Sequence, residues 1–170
     1  ENHVTAWINK GNALEELGEY QKAIECYDRA LKIDENYVNA WINKGNALEE
    51  LGEHQKAIEC YDRALKIDEN NAGIHYNKGN ALDELGEHQK AIECYDGALR
   101  IDENYVTTWT NKGCSLENLG EHQKAIECFD GALKIDENYV TAWTNKGCSL
   151  ESLGEHQKAI ECFDGALKID

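Results

Sequence analysis

The side chains with the greatest chemical reactivity recur at fixed places in the sequence. A histidine precedes a cysteine by six residues at His54 and Cys60, His88 and Cys94, His122 and Cys128, and His156 and Cys162. Such pairs form thiolate nucleophiles when the two side chains touch and a third group orients the imidazole. Tyr20 takes the place of histidine in the first copy, and a reaction centre has no reason to recur along one chain. The pattern therefore favours a packing role, and no catalytic residue is predicted.

The seven cysteines show no spacing typical of a metal site or a disulfide. Five occupy one recurring position, namely Cys26, Cys60, Cys94, Cys128 and Cys162, and the other two are Cys114 and Cys148. No pair has the C-x-x-C spacing of zinc and redox sites. Equivalent positions in stacked helices lie about 10 Å apart, which is too far for a disulfide. We therefore expect reduced thiols acting as small apolar side chains, no metal or cofactor, and a cytoplasmic location.

A 34-residue repeat sets the positions of these residues. The units 1–34, 35–68, 69–102, 103–136 and 137–170 have nearly the same sequence and fill the chain. In the second unit, apolar and small residues recur twice at helical spacing. The first stripe is Ala40, Trp41, Gly45, Leu48 and Leu51, and the second is Ala57, Ile58, Tyr61, Ala64 and Leu65. Gly52 lies between the stripes and suits the left-handed residue after a helix. Each unit is therefore predicted to be a helical hairpin that buries its apolar face by stacking on its neighbours.

The residues Trp41, Gly45, Leu48, Gly52, His54, Ala57, Tyr61 and Ala64 form a pattern that resembles the tetratricopeptide repeat. The resemblance covers all five units and implies an all-α, right-handed α-solenoid (superhelix) of five helix-turn-helix repeats. It also implies one array over 1–170, with repeats at 4–37, 38–71, 72–105, 106–139 and 140–170, that acts as a non-catalytic scaffold for protein–protein interaction.

The chain departs from the family pattern after the second helix of each repeat, where the usual proline is absent. Without proline, Asn36, Asn70, Asn104 and Asn138 are expected to end that helix, as C′ or N-cap residues. A second helix that runs on into the next repeat, with domain swapping, stays open as an alternative.

The resemblance implies that the first helices line a concave groove in which extended peptides bind. One row of carboxamides would then be Asn9, Asn43, Asn77, Asn111 and Asn145. A second row is Asn12, Asn46 and Asn80, which Cys114 and Cys148 replace in the last two repeats. Carboxamides donate and accept hydrogen bonds, so they can hold a peptide backbone without reading its side chains. Glu16, Glu50 and Glu84 complete the predicted site as an acidic edge. The alternatives are that the amides bond only to neighbouring repeats and that the acids form an ordinary solvated face.

The charge balance limits the partners of such a surface. The formal net charge is -16, with 33 acidic residues against 17 basic ones. An acidic surface repels phosphate backbones, which argues against nucleic acid. No apolar run approaches the ~20 residues of a membrane span, so no membrane association is expected. We expect a protein or peptide partner that is extended and neutral to basic, and binding that is sensitive to salt.

Two further expectations concern the stacking of the repeats. Lys44 and its equivalents are expected to cover apolar surface with their stems and to keep their ammonium groups in water. Ala159, Phe163 and Ala166 in the last helix are expected to pack partly toward a missing neighbour, so that either further repeats follow in a longer protein or copies stack end to end. End-to-end self-association of a structural array through such ends is therefore the alternative function.

Overall fold

The computed structural model describes residues 3–169, which form helices and short turns and contain no strand. Residues 1, 2 and 170, at the outer edges of the first and last predicted repeats, lie outside the described part of the chain. The chain divides into two compact units, Glu1–Gly86 and Glu87–Asp170, which are called the N-terminal body and the C-terminal body below. The prediction of an all-α fold built from tandem helical hairpins is confirmed.

Each body contains five helices of 12 to 14 residues. Those of the N-terminal body are α1 (Val4–Glu16), α2 (Tyr20–Ile33), α3 (Val38–Glu50), α4 (His54–Ile67) and α5 (Ala72–Glu84). Those of the C-terminal body are α6 (His88–Ile101), α7 (Val106–Asn118), α8 (His122–Ile135), α9 (Val140–Ser152) and α10 (His156–Leu167). Within residues 3–169, none of these helices combines the length and the apolar composition needed to cross a bilayer.

The turn inside each hairpin depends on a glycine. Helix α3 ends at Glu50, and Gly52 adopts a φ of 71°, which is the left-handed region that side chains disfavour. This conformation lets the Gly52 N–H donate to the Glu49 carbonyl at 2.8 Å and the Glu53 N–H donate to the Leu48 carbonyl at 2.9 Å. These bonds satisfy carbonyls at the helix end, and α4 then begins at His54. The predicted position of the turn is therefore confirmed.

Where both helices of a hairpin lie in one body, its core is a large ring of the second helix packed on a glycine of the first helix. Tyr61 of α4 is 1% exposed, and a Cβ added at Gly45 of α3 would lie 2.5 Å from its Cε1 atom. The C-terminal body has the same arrangement with phenylalanine, because a Cβ at Gly113 would lie 2.4 Å from Cε1 of Phe129. The two helices of a hairpin can therefore approach this closely only because the first carries no side chain at the contact.

An aspartate starts the turn between successive hairpins. Helix α2 ends at Ile33, Asp34 adopts an extended conformation, and its Oδ1 atom accepts a 3.0 Å hydrogen bond from the Asn36 N–H. Asp102 and Asp136 accept equivalent bonds from Asn104 and Asn138. Tyr37 is the N-cap of α3. The prediction that Asn36, Asn70, Asn104 and Asn138 end the helix as C′ or N-cap residues is wrong. The side chain that accepts the hydrogen bond from the turn N–H belongs to the aspartate, and the second helices end at this turn.

Tryptophan holds the same turn from the following helix. The Trp41 Nε1–H donates to the Glu35 carbonyl at 2.8 Å, and Trp109 and Trp143 make the equivalent bonds in the C-terminal body. In the third repeat, His75 replaces tryptophan, and its Nε2 atom lies 3.2 Å from the Glu69 carbonyl oxygen. The indole therefore both packs between hairpins and fixes the turn that precedes its own helix.

From the second hairpin onward, a lysine in the first helix links it to the second helix of the preceding hairpin. Lys44 Nζ lies 2.7 Å from Asp28 Oδ1 and 5.7 Å from the centre of the Trp41 ring. Within the C-terminal body, Lys146 Nζ lies 2.6 Å from Asp130 Oδ1. The Lys44 side chain is only 21% exposed, so this pair is partly shielded from water. The expectation that the ammonium groups stay in water is wrong for Lys44, Lys78, Lys112 and Lys146, because the stacking brings an aspartate to each of them. Lys10 of α1 is exposed, as expected.

Candidate functional site

Within each body, the first helices of successive hairpins lie side by side, and these helices carry every residue of the predicted peptide-binding site. In the N-terminal body α3 contacts both α1 and α5, and in the C-terminal body α7 contacts α9. Asn9 and Asn12 of α1 are exposed. The amides of the later first helices, Asn43, Asn46, Asn77, Asn80, Asn111 and Asn145, are half-buried. The surface that these amides form within each body is called its amide face below.

In the N-terminal body the two rows of amides are joined across hairpins. The Asn43 Nδ2–H donates to Asn12 Oδ1 at 2.9 Å, and the Asn77 Nδ2–H donates to Asn46 Oδ1 at 3.1 Å. The Asn46 oxygen also accepts a bond from a buried tyrosine, because the Tyr61 hydroxyl donates to Asn46 Oδ1 at 2.9 Å. The amides therefore bond to neighbouring repeats, as the alternative interpretation proposed. The Asn46 Nδ2 group and the Asn77 carbonyl oxygen make no hydrogen bond to another described residue, so they stay available for other partners.

The sequence reasoning missed the tyrosine that holds this network. Tyr27 donates to Asn12 Oδ1 at 2.9 Å and also to the carboxylate of Glu15. A signal for the contact was present in the sequence. Asn12, Asn46 and Asn80 occur in repeats with tyrosine, whereas the two repeats with cysteine at that position have Phe129 and Phe163. A hydroxyl and its acceptor are thus exchanged together for a thiol and a phenyl ring.

The C-terminal body presents a different amide face. The Asn145 Nδ2–H donates to the Cys114 Sγ atom at 3.3 Å, where the N-terminal body has an amide oxygen. Ser149 donates to Glu117 Oε1 at 2.6 Å and to the Asn145 carbonyl at 3.1 Å. Asn118 and Ser152 occupy the positions of Glu16 and Glu50. The acidic edge is therefore weaker in this body, and thiols replace the second-row amides.

The carboxylates of the N-terminal body fall into an inner and an outer set. Glu16, Glu50 and Glu84 of the predicted site are exposed, whereas Glu15 and Glu49 are half-buried. Burial raises the pKa of both half-buried carboxyls, although a hydrogen bond from Tyr27 lowers that of Glu15 and one from His54 lowers that of Glu49. Repulsion from neighbouring carboxylates, including Glu50, raises both further. A negative potential therefore builds up along this part of the amide face.

A cavity of about 330 Å³ opens on the amide face between α3 and α5. It is lined by Asn46, Glu49, Glu50, Tyr61, Asn77 and Asn80. Larger clefts of about 450 Å³ lie between the second helices of consecutive hairpins, away from the predicted site. One of these contains Trp41, Lys44 and Cys60 and is edged by charged side chains of both signs.

The histidine–cysteine pairs singled out in the sequence do not meet as a reactive pair where the contacts are described. His54 Nδ1 lies 3.2 Å from Glu49 Oε1, and His122 Nδ1 lies 3.1 Å from Glu117 Oε1. Cys60 is 4% exposed, and burial raises the pKa of its thiol to about 11. The thiol is therefore protonated near neutral pH. Within residues 3–169 no group of three or more histidine, cysteine and acidic side chains is placed to hold a metal ion.

Comparison with known families covers nearly the whole chain. The model described as Tetratricopeptide repeat matches residues 4–37, 38–71, 72–105 and 106–139, and a second model of the same description matches 140–170. No protein with a curated description is similar enough to match the chain.

Several solved structures share the fold over almost their full length. "Crystal structure of MamA protein" is 26% identical, with a TM-score of 0.92 over 98% of this chain and 91% of that chain. "Crystal structure of YrrB: a TPR protein with an unusual peptide-binding site" is 26% identical, with a TM-score of 0.82 over 96% of this chain and 84% of that one. "MamA 41-end from Desulfovibrio magneticus RS-1" is 18% identical with a TM-score of 0.93 over 99% and 96%, which shows the fold alone.

Proposed function

Because the chain belongs to the tetratricopeptide repeat family, we propose that it is a non-catalytic scaffold that binds an extended peptide along its amide face. The peptide is neutral to basic. The contacts come from Asn9, Asn12, Asn43, Asn46, Asn77, Asn80, Asn111 and Asn145, with Glu16, Glu50 and Glu84 at the edge.

The observation that carries this proposal is the hydrogen-bonding capacity that remains after the amides have bonded to one another. Asn46 Oδ1 accepts from both Tyr61 and Asn77, but the Asn46 Nδ2 group donates to no other described residue. Asn77 uses one Nδ2–H and keeps its carbonyl oxygen. A donor and an acceptor therefore lie side by side, and each peptide unit of an extended chain needs one of each. The network with Tyr61 fixes both amides before binding, which lowers the entropy lost on association.

Charge supports the neutral-to-basic character of the peptide. The net charge is -16, and Glu16, Glu50 and Glu84 lie exposed beside the amides. Exposed carboxylates attract a cationic peptide over about one Debye length, which is ~8 Å at physiological salt. They contribute more to the association rate and to the choice of partner than to the final affinity. YrrB, which is described as a TPR protein with an unusual peptide-binding site, agrees with this use of the fold.

The proposal is tested by fluorescence anisotropy with labelled peptides of equal length that are basic, neutral or acidic. The basic peptide is expected to bind most tightly and to weaken by about threefold or more when salt is raised from low to physiological concentration. Tighter binding of the acidic peptide, or affinity that does not depend on salt, would contradict the proposal.

A matched pair of charge reversals locates the surface. Glu16→Lys lies on the amide face of the first hairpin, and Glu25→Lys lies on its other helix, and both side chains are exposed. Both variants change the net charge equally. Glu16→Lys is expected to weaken the basic peptide by about threefold to tenfold at low salt, and Glu25→Lys by less than about twofold. Equal effects of the two variants would place the peptide elsewhere.

The proposal also covers cofactors, other classes of partner and location. It acts without a cofactor and does not bind nucleic acid or a membrane, since an acidic surface repels both phosphate backbones and anionic headgroups. It works in the cytoplasm. The seven cysteines are all free thiols, which suits a reducing compartment.

A second candidate function, self-association, has one observation in its favour. Ile160 of α10 is 52% exposed, whereas Ile58 and Ile126, which occupy the same repeat position, are each 6% exposed under the next hairpin. Leu167 of α10 is 79% exposed. On α1, Ala6 and Ala13 are exposed, whereas Ala40 and Ala47 are fully buried. The α10 face of one copy therefore suits the α1 face of another. Sedimentation velocity over a concentration range tests this, because a mass that stays at that of one chain contradicts it.

A further inference from the structure

The cavity between α3 and α5 has more hydrogen-bond acceptors than donors. Inside it, the Tyr61 hydroxyl and the Asn77 Nδ2 group both direct their hydrogens to one atom, Asn46 Oδ1. This leaves the lone pairs of the Tyr61 hydroxyl, the Asn77 carbonyl oxygen and the carboxylates of Glu49 and Glu50 as acceptors. The donors that remain on these residues are the Asn46 Nδ2 group and the second Asn77 Nδ2–H. A ligand that satisfies these walls must therefore bring several N–H or O–H groups.

The same walls carry negative charge that is partly removed from water. The Glu49 side chain is 21% exposed, and His54 contacts it at 3.2 Å from outside the cavity lining. Glu50 lies at the rim, where the hydroxyl of Tyr20 is its neighbour, and Glu84 repels the Glu49 carboxylate from α5. Burial is the main cause of the raised pKa of Glu49. A cationic group would offset both the burial and the repulsion.

We propose that this cavity receives the guanidinium group of an arginine side chain in the bound peptide, an inference that rests on the proposed function. Guanidinium carries five N–H donors in a planar fork and no acceptor, which matches the acceptor excess of the walls. It is also less strongly hydrated than an ammonium group, so entering a half-buried cavity costs it less. The volume of about 330 Å³ accommodates the group together with part of its stem.

The residues that form the cavity are exchanged as a set in the other body. At the positions of Asn46, Glu50 and Tyr61, the fourth repeat has Cys114, Asn118 and Phe129. These replacements exchange an amide for a thiol, a carboxylate for an amide and a phenol for a phenyl ring. The arginine site therefore belongs to the N-terminal body, and helices α7 and α9 supply an internal comparison of the same pair of first helices.

The experiment uses the whole chain and a probe small enough to occupy the cavity without a peptide. Nα-acetyl-arginine amide is titrated at constant ionic strength while NMR follows the side-chain amide resonances of Asn46 and Asn77, with Asn145 as the reference. The matched probes are the lysine and citrulline amides. Saturable shifts at Asn46 and Asn77 are expected in the millimolar range for arginine, weaker shifts for lysine, and none for citrulline, which has the shape of arginine without its charge.

Two variants complete the test. Glu50→Gln is expected to weaken the arginine probe by about tenfold, and Glu59→Gln, an exposed residue of α4 outside the cavity, by less than about twofold. An unchanged backbone spectrum shows that each variant is folded. Citrulline binding as well as arginine, lysine binding at least as tightly as arginine, shifts at Asn145 alone, or a full response in Glu50→Gln would each overturn the proposal.

Failure of the arginine site and failure of the proposed function give different results. If peptides bind the amide face and the arginine probe does not shift Asn46 and Asn77, the scaffold stands and the arginine site is refuted. If the probe binds and no peptide does, the cavity is real and the scaffold proposal fails.

Discussion

The hydrogen bond between Tyr61 and Asn46 should behave as one unit in the stability of the N-terminal body. Tyr61→Phe removes a single donor from a 2.9 Å bond, and Asn46 Oδ1 keeps the bond from Asn77. The expected loss is about 1 kcal/mol. Asn46→Cys leaves the Tyr61 hydroxyl, on a side chain that is 1% exposed, without its acceptor, and it also removes the acceptor of Asn77. The expected loss is about 2–3 kcal/mol.

The double variant then recreates the cysteine–phenylalanine pair of the fourth and fifth repeats. Phenylalanine at position 61 has no hydroxyl, so no buried donor is left without an acceptor. The Asn77 amide can donate to the sulfur of the new cysteine, as Asn145 donates to Cys114 Sγ at 3.3 Å. The double variant is therefore expected to be no less stable than Asn46→Cys alone. The coupling energy between the two sites should be about 1 kcal/mol or more.

Urea denaturation followed by circular dichroism at equilibrium measures all four proteins. The control cycle pairs Asn46→Cys with Tyr139→Phe in the other body, where the two effects should add within about 0.5 kcal/mol. Additive losses in the Asn46 and Tyr61 cycle would refute the reasoning. They would mean that the coordinated exchange of these residues among the repeats has no energetic basis in this contact.

Three further outcomes follow from the structure. Gly45→Ala should destabilise the protein by about 1–3 kcal/mol despite the better helix propensity of alanine, because the new Cβ would lie 2.5 Å from the buried ring of Tyr61. Gly73→Ala should instead stabilise it by up to about 1 kcal/mol, since its nearest neighbour lies 3.4 Å away; equal signs in urea melts would contradict this pair. In the native protein Cys148, the one exposed thiol, should react first with Ellman's reagent, and Cys148→Ser should abolish that fast phase. A fast phase that persists in Cys148→Ser would contradict the burial of the other thiols. Burial raises the pKa of Glu15 above its ordinary 4.5. The stability that this shift contributes is therefore present below pH 4.5 and is lost as the pH rises through the folded pKa. Glu15→Gln should gain stability relative to the parent as the pH rises from about 4 to 7, and parallel curves of melting temperature against pH for the two proteins would refute the shift.

Periodicity was sufficient to predict the hairpins. The two apolar stripes and Gly52 located both helices and the turn of the second repeat, because a helix with one apolar face and a residue with positive φ each leave a local signal. The end of the second helix was harder to predict. Asp34 and Asn36 are both good capping residues, and only the geometry of the turn decides that the aspartate accepts the hydrogen bond.

The contacts between hairpins could not be predicted from the spacing of residues along the sequence. The bridge from Lys44 to Asp28 joins residues 16 positions apart on different helices, and no spacing rule within one helix predicts it. The amide face was identified through the family resemblance. That amides bond to each other as well as to a partner depends on the distance between neighbouring first helices, which the sequence does not specify. The contact of this face with a peptide stays a prediction.

The lysine–aspartate bridge has a consequence for how such a chain can lengthen. Most hairpins carry a cation where they meet the preceding hairpin and an anion where they meet the following one, as Lys44 with Asp28 and Lys78 with Asp62 illustrate. A duplicated gene segment that encodes one hairpin therefore encodes both the lysine and the aspartate of this bridge. The new hairpin can pair with the hairpin before it and with the hairpin after it without a further substitution, which agrees with the near-identity of the repeats.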